Sequence, residues 1–222
     1  MIKSTTPKIY TPQDGSCVLN LDVRDVRNSK IYDRSGKGNH GTITGATIKA
    51  TNYSIPVLNF DGVDDFVDCG NDNSIKIIGE ITINTIFNSN NLAGDHCIVR
   101  KLPFIYNIIT TGDNIRFEIG HDWAGSQLFT TGLNLKAGRN YFVSCTYDES
   151  NMKIFVNGIE KASKAETLIL SYPNDDNLII GIVPINTEPF SGNISFVEIL
   201  NRKLSASEIS QQFNQIRHIY GM

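Results

Sequence analysis

One polar segment of the chain, residues 120–126, places an aromatic ring and hydrogen-bonding groups between two glycines. It holds the only tryptophan, Trp123, directly after His121 and Asp122. An aromatic ring can stack on the apolar face of a sugar while nearby polar side chains fix its hydroxyl groups. With two residues of a neighbouring strand, the predicted glycan-binding residues are Trp123, His121, Asp122, Tyr106 and Asn107. The alternative is that the tryptophan packs in the core or at a hairpin tip.

The residues that could act as nucleophiles form no recognisable catalytic pattern. The chain has no Gly-x-Ser-x-Gly segment, and its four histidines follow no regular spacing. Its four cysteines include no Cys-x-x-Cys pair, which argues against a metal cluster or a thioredoxin-like motif. Cys145 lies within a strand pattern, so we expect a buried free thiol. Disulfides are the alternative if the mature protein functions outside a cell.

Composition and charge restrict the class of protein. The 222 residues are 40% hydrophobic and 19% charged, which is typical of a globular protein with a substantial core. A formal net charge of −3 and scattered basic residues give no reason to expect nucleic acid or an anionic membrane as partner. The first residues lack the features of a secretory signal, and no apolar run could span a bilayer, so we expect neither export nor membrane insertion.

Short apolar runs separated by Gly, Asn, Asp and Ser predict an all-β fold. Residues 140–147 and 153–159 read as successive strands, and Asn157-Gly158 is a strong signal for a type I′ hairpin turn. Residues 80–87 alternate between isoleucine and mostly polar residues, which predicts a half-buried strand with the isoleucines inside. These segments together predict an antiparallel meander.

The end of the chain predicts one helix. Ser205 and Glu208 have the spacing of a capping box, in which each side chain satisfies a backbone amide at the helix start. Apolar residues then recur at helical spacing and form a stripe that must dock on the sheet, namely Ile209, Phe213, Ile216 and Tyr220. Because no linker, repeat or low-complexity tract interrupts the chain, we predict one domain over residues 1–222, with a core of about residues 15–215 and an N-terminal arm of residues 1–14.

Four segments, in order, resemble the signatures of a known family. They are DRSGKGNHGT at 33–42, LNFDGVDDFV at 58–67, Tyr147-Asp148 with IFVNG at 154–158, and FSGNI at 190–194 with NRKLSASEI at 201–209. The chain resembles the concanavalin A-like lectin/glucanase superfamily, specifically its laminin G-like jelly rolls. This resemblance implies a β-sandwich of two antiparallel sheets with a short C-terminal helix.

Three positions depart from the family's pattern. Asn140 and Ile86 stand where the family often has tryptophan, which suggests a differently packed core. Ser195 stands where the family often has an acidic residue at the metal-binding end of the sandwich. That third departure argues against a metal ion.

The resemblance also implies a candidate calcium site. Calcium takes carboxylate and carbonyl oxygens, and the loops that resemble the family's metal loops carry Asp33, Asn39, Asp61, Asp64 and Asp65. The alternative is that these side chains cap their own turns. His40 is expected to anchor its loop through hydrogen bonds and not to bind a transition metal.

The resemblance raises the question of glycosidase activity, because the catalytic relatives carry Glu-x-Asp-x-Glu or a similar run. No such run occurs here. Glu118 and Asp122 have the wrong spacing, and Asp65 and Asp68 point to opposite faces of a strand. We therefore expect no enzymatic activity.

These observations predict a non-catalytic binding or adhesion module for a glycan or surface polysaccharide, carried on a virus (phage) particle. The alternative is a virion structural subunit, such as a capsid decoration, head-fibre or tail accessory protein, that assembles with itself or with other virion proteins. A single domain without an export signal, rich in asparagine and isoleucine, favours the virion interpretation.

Overall fold

The computed structural model describes residues 12–51, 55–101, 105–120, 125–172, 176–182 and 188–222. Most of the predicted N-terminal arm lies outside these ranges. The strands are β1 (Cys17–Arg27), β2 (Lys30–Asp33), β3 (Gly41–Thr44), β4 (Thr47–Ala50), β5 (Pro56–Asp61), β6 (Phe66–Asp68), β7 (Ile81–Ser89), β8 (Asp95–Lys101), β9 (Tyr106–Thr111), β10 (Asn114–Ile119), β11 (Ser126–Phe129), β12 (Tyr141–Tyr147), β13 (Asn151–Val156), β14 (Ile159–Ala165), β15 (Leu178–Ile180) and β16 (Ser191–Leu200). The helix is α1 (Ala206–Ile216).

The strands form one continuous antiparallel network that closes into a sandwich. Its order is β11-β10-β9-β8-β15-β6-β3-β2-β1-β16-β7-β12-β13-β14, with β4 and β5 attached through β16. β11, at one end of this path, contacts β13 and β14 at the other end. The network therefore folds over, and its two halves become facing layers. The predicted antiparallel β-sandwich is confirmed.

The core lies between these layers and consists of alternate residues of the strands. Ile83, Val143 and Ile154 from one layer pack with Ile108 and Phe117 from the other, and all five are fully buried. Because neighbouring residues of a strand point to opposite faces, such alternation gives each layer one apolar inner face.

Two hairpins use turns in which both central residues have positive φ. Asn157 and Gly158 have φ of 51° and 77° and connect β13 to β14, as the sequence predicts. Asn28 and Ser29 have φ of 49° and 58° and connect β1 to β2. Such turns match the right-handed twist of the strands that they join.

α1 covers the outer face of the layer that contains β7, β12, β13 and β16. Ile209 and Ile216 of the predicted apolar stripe are buried there against Phe142 and Phe196. The ring of Phe213 stacks on Phe142, with centroids 6.4 Å apart and an interplanar angle of 22°. The capping box at the start of α1 is also present. The predicted helix and its docking stripe are therefore confirmed.

The prediction of a half-buried strand at residues 80–87 is wrong, because β7 is buried on both faces. Ile83 faces the sandwich interior, whereas Ile86 belongs to the cluster beneath α1. Asn84 is also completely buried, and its side-chain amide donates to Glu198 Oε2 at 2.9 Å and to Gln212 Oε1 at 3.0 Å. α1 thus covers a face that alternation alone assigns to solvent.

All four cysteines are free and buried, as expected for Cys145. Burial raises the pKa of the Cys97 thiol to about 12. Among the described residues, no helix has the length and apolar character that crossing a membrane requires.

The capping box makes stability depend on pH. Arg202 Nη2 donates to Glu208 Oε1 at 2.7 Å, and with the Ser205 hydrogen bonds it lowers the pKa of Glu208 from 4.5 to about 2. The lowered pKa favours the ionised form in the native state. The stabilisation is therefore complete above about pH 4.5 and is lost as the pH falls toward 2.

We predict that Glu208→Gln destabilises the protein by about 1 kcal/mol at neutral pH, because it removes a partly exposed ion pair. Glutamine still fits a capping box, so the deficit reports the charge and not the cap. Urea unfolding of both proteins at pH 7, 4 and 2 measures it. The deficit should shrink with falling pH, and a constant deficit would contradict this assignment.

Candidate functional site

The predicted glycan-binding segment connects two paired strands. Ile119 of β10 pairs with Ser126 of β11, so residues 120–125 close a hairpin. Gly120 has φ of 104°, and a Cβ there would lie 2.6 Å from Leu168 Cδ2 and 3.0 Å from the Gly125 Cα. Only glycine fits this backbone, which explains why the tryptophan segment begins with one. Three predicted residues of the hairpin, His121, Asp122 and Trp123, lie outside the described residues.

Three polar side chains meet at the base of this hairpin, where β11 contacts β14. Lys164 Nζ donates to Ser126 Oγ at 2.5 Å, and Ser126 Oγ in turn donates to Glu166. Lys164 Nζ lies 3.3 Å from Glu166 Oε2. The Ser126 hydroxyl lowers the pKa of the Glu166 carboxyl. Nothing in the sequence identifies this group, because β14 follows β11 only after a long intervening segment.

Tyr106 lies in the core of the sandwich and has no exposed surface. Its hydroxyl donates to the Ile75 carbonyl oxygen at 2.9 Å, and burial raises its pKa well above the ordinary value. A fully enclosed ring has no surface with which to contact a sugar. The structure therefore does not bring Tyr106 to the tryptophan hairpin, and the site proposed below omits it.

Asn107 lies on the opposite, outer face of β9 and is also completely buried. It pairs with Glu118 on β10, which pairs in turn with Gln127 on β11. The Asn107 side-chain amide donates to Glu118 Oε2 at 2.9 Å, and Gln127 donates to Glu118 Oε1 at 2.8 Å. Asn107 thus belongs to a polar row that is buried at Asn107 and Glu118 and exposed at Gln127, and it is not a residue of the proposed site.

Beside this row is an ion-pair network on the outer face of β8 and β10. Arg116 lies 2.6 Å from Asp95, 3.0 Å from Glu118 and 3.3 Å from Glu188, measured between the nearest charged atoms. Arg100 is also paired with Glu188. Alternation in β10 places Arg116 and Glu118 on one face, but nothing in the sequence identifies Asp95 and Glu188 as their partners.

The carboxylates of this network are held in ion pairs with two arginines. Glu118 and Glu188 share Arg116, so each acts as an ion-pair acceptor. The network holds the segment around Glu188 against β8, where the Cys97 amide also donates to the Glu188 carbonyl oxygen at 2.9 Å.

Three of the predicted calcium ligands converge. Carboxylate oxygens of Asp61, Asp64 and Asp65 lie within 4.8 Å of one another. The Asp61 amide donates to Asp65 Oδ2 at 2.7 Å, and the Val63 amide donates to Asp61 Oδ1 at 2.8 Å. Burial, with a smaller contribution from the two neighbouring carboxylates, raises the pKa of Asp65. Oxygen donors of this type fit calcium, although three carboxylates supply only part of its shell of roughly six to eight ligands.

The other two predicted calcium ligands serve their own loop. Asp33 accepts from the backbone amides of Asn20, Ser35 and Asn39 at 2.9 Å each, and from Ser35 Oγ at 2.7 Å. Its own amide donates to His40 Nδ1 at 3.1 Å, which is the anchoring role expected for His40.

Asn39 is buried as well, and its side-chain amide donates to the Val18 carbonyl oxygen at 2.7 Å and to Ser74 Oγ at 2.8 Å. The five predicted ligands therefore do not form one group.

A laminin G-type family model, described as the concanavalin A-like lectin/glucanases superfamily, matches residues 61–210. Because the match covers more than half of the chain, the protein belongs to this superfamily. The resemblance inferred from the sequence motifs is confirmed. Comparison with curated proteins gives no significant match.

Toxin binding domains are among the solved structures with the same fold. The binding domain of Paraclostridial Mosquitocidal Protein 1 has a TM-score of 0.74 and 16% identity, over 93% of this chain and 55% of that chain. A second structure is of botulinum neurotoxin type C, whose cell entry is described as dependent upon interaction with two ganglioside molecules. It has a TM-score of 0.68 and 16% identity, and the match covers 90% of this chain and 51% of that chain.

The binding domain of botulinum neurotoxin DC in complex with rat synaptotagmin II has a TM-score of 0.68 and 14% identity. This match covers 90% of this chain and 52% of that chain. The chain thus spans about half the length of these structures, and at this level of identity the likeness shows the fold.

We predict that Asp33→Ala lowers the free energy of unfolding by about 3 kcal/mol, because it removes an ionised acceptor and leaves amide donors unsatisfied. Asp64→Ala is the matched control, since Asp64 is exposed and a change there should stay within about 0.5 kcal/mol. Chemical denaturation of the two variants in EDTA, which removes any calcium held by Asp64, measures the difference. Equal effects would show that the Asp33 loop does not depend on this carboxylate.

Proposed function

We propose that this chain is a non-catalytic binding module that attaches to a glycan on a surface. Membership of a lectin superfamily and a fold shared with toxin binding domains support this proposal. The ganglioside dependence of the type C neurotoxin supports a glycan as ligand, and the synaptotagmin complex supports a protein receptor as the alternative partner. Fixed ion pairs around Glu118 support binding without catalysis.

The proposed glycan site is the β10–β11 hairpin, and the observation that supports it is that the segment joining these two paired strands carries the only tryptophan of the chain. Gly120 and Gly125 lie so close together that a Cβ on Gly120 would be 3.0 Å from the Gly125 Cα, and the segment between these glycines carries Trp123. Trp123 would supply the stacking surface, and His121 and Asp122 would supply hydrogen bonds to hydroxyl groups. Lys164 and Ser126 lie at the base of the same hairpin.

The proposed virion surface location and the alternative role as a virion subunit rest on the sequence alone. A subunit of this kind must associate with itself or with other virion proteins. Size-exclusion chromatography with light scattering separates the two roles, because a monomer that binds glycan supports the binding module, and a stable multimer without glycan binding supports the assembly subunit.

We predict that Trp123→Ala weakens glycan binding by at least about tenfold, because removing a stacked aromatic anchor typically costs more than 1.4 kcal/mol. The measurement is a glycan array followed by titration of the strongest ligand. Ile48→Ala is the matched control, since Ile48 is 54% exposed on β4, outside the hairpin. Unchanged binding by the Trp123 variant would remove the hairpin from the site.

We also propose that Asp61, Asp64 and Asp65 bind calcium, and we predict that calcium raises the melting temperature relative to EDTA. A cation that binds only the native state stabilises it by about 2.7 kcal/mol at one hundred times its dissociation constant. Asp64→Asn should abolish the shift without unfolding the protein, because Asp64 is exposed. A melting temperature that is the same in calcium and in EDTA would contradict this proposal.

A further inference from the structure

The β1–β2 hairpin presents two cations without a carboxylate partner in the described part of the chain. Arg27 and Lys30 flank the two-residue turn and are paired directly across it. Both side chains are exposed. Other arginines of this region behave differently, since Arg24 and Arg34 both pair with Asp22.

Like charges directly opposite each other in a sheet destabilise it. The pairing of Arg27 with Lys30 therefore costs stability that an acidic residue at either position would recover. An anion bound between the guanidinium and the ammonium would offset the repulsion, and arginine can hold a carboxylate or sulfate through two parallel hydrogen bonds. The hairpin thus has the charge arrangement of an anion site.

An exposed aromatic ring lies beside these cations. Tyr32 is 40% exposed and lies two residues after Lys30 in β2, hence on the same face of the strand. Arg27 Cζ lies 5.8 Å from the centroid of the Tyr32 ring. The His40 ring is 5.0 Å away, tilted by 57°.

Two hydrogen-bonding groups at this ring also lack a partner among the residues that the structure describes. One is the Tyr32 hydroxyl. The other is His40 Nε2, because His40 Nδ1 accepts the Asp33 amide, which places the proton of the neutral imidazole on Nε2. An aromatic ring surrounded by unpartnered donors is the arrangement that recognises a sugar.

We propose that this face of the β1–β2 hairpin, formed by Arg27, Lys30, Tyr32 and His40, binds an anionic sugar. The sugar ring stacks on Tyr32, its carboxylate or sulfate lies between Arg27 and Lys30, and His40 Nε2 and the Tyr32 hydroxyl bond its hydroxyl groups. This inference rests on the proposed glycan-binding function and adds a second site and a ligand charge. The proposed tryptophan site belongs to the segment between β10 and β11, whereas this site belongs to β1, β2 and the loop before β3, so the two sites share no residue.

The test is titration of the protein with sialyllactose, sulfated lactose and neutral lactose, followed by NMR and calorimetry. Both acidic probes, or one of them, should bind at least about tenfold more tightly than lactose, because a charge-assisted hydrogen bond contributes that much or more. The affinity should fall as salt is added, since exposed charges are screened. Binding of one acidic probe alone distinguishes a carboxylate from a sulfate as the recognised group.

Arg27→Gln, Lys30→Gln and Tyr32→Ala should each weaken acidic-sugar binding by about tenfold without unfolding the protein, because all three side chains are exposed. Phe129→Ala is the matched control. Phe129 is also an exposed aromatic residue beside an arginine, since it is 42% exposed and Arg116 Cζ lies 5.9 Å from its ring. That arginine is already paired with carboxylates, so this substitution should leave acidic-sugar binding unchanged.

Three results would overturn the proposal. Equal binding of lactose and both acidic probes would remove the anion preference while leaving glycan binding intact. Acidic-sugar binding that survives the hairpin substitutions, or that Trp123→Ala abolishes, would place the acidic sugar elsewhere and leave the proposed function standing. An absence of binding to every glycan on an array would contradict the proposed function and this inference together.

Discussion

β16 is hydrogen-bonded along both edges and buried on both faces, and this double burial determines the architecture around it. β7 pairs with one edge, while β1 and β5 share the other. Ile194 and Val197 face the sandwich interior, whereas Phe196 faces α1. At Gly192, with φ of 145°, a Cβ would lie 2.1 Å from the Asn88 carbonyl oxygen, so only glycine allows the approach to β7. A strand of this kind requires a covering layer on each face. The opposite half of the sandwich covers one face, and α1 covers the other.

Features that depend on neighbouring residues could be predicted from the sequence. The Asn157-Gly158 turn and the capping box at Ser205 and Glu208 are local devices, and the structure contains both. Alternation wrongly predicts that one face of β7 is exposed, because α1, which covers that face, lies far along the chain. Alternation assigns Asn84 to solvent, yet its side-chain amide donates to Gln212 Oε1 on α1 and to the Glu198 carboxylate in a buried network.

The same distinction explains the candidate sites. Strand parity separates Tyr106 from Asn107, but the sequence does not show that Arg100, the partner of Asn107 on β8, forms an ion pair with Glu188. Asp61, Asp64 and Asp65 cluster because they are close together in the sequence. The Asp33 carboxylate, by contrast, accepts a hydrogen bond from the backbone amide of Asn20 in β1, which the sequence does not show. Residue type identified candidates for chemistry, and distant segments decided which of them keep an available ligand atom.

Burial of all four cysteines also determines how fast the protein reacts with alkylating reagents. The thiolate is the reactive form, and in the native state burial raises the pKa of Cys97 to about 12 and that of Cys145 well above its ordinary value. Modification therefore requires local or global opening of the strands that enclose them. The rate at which a maleimide labels the unmodified chain would report how often its interior opens, without an engineered probe.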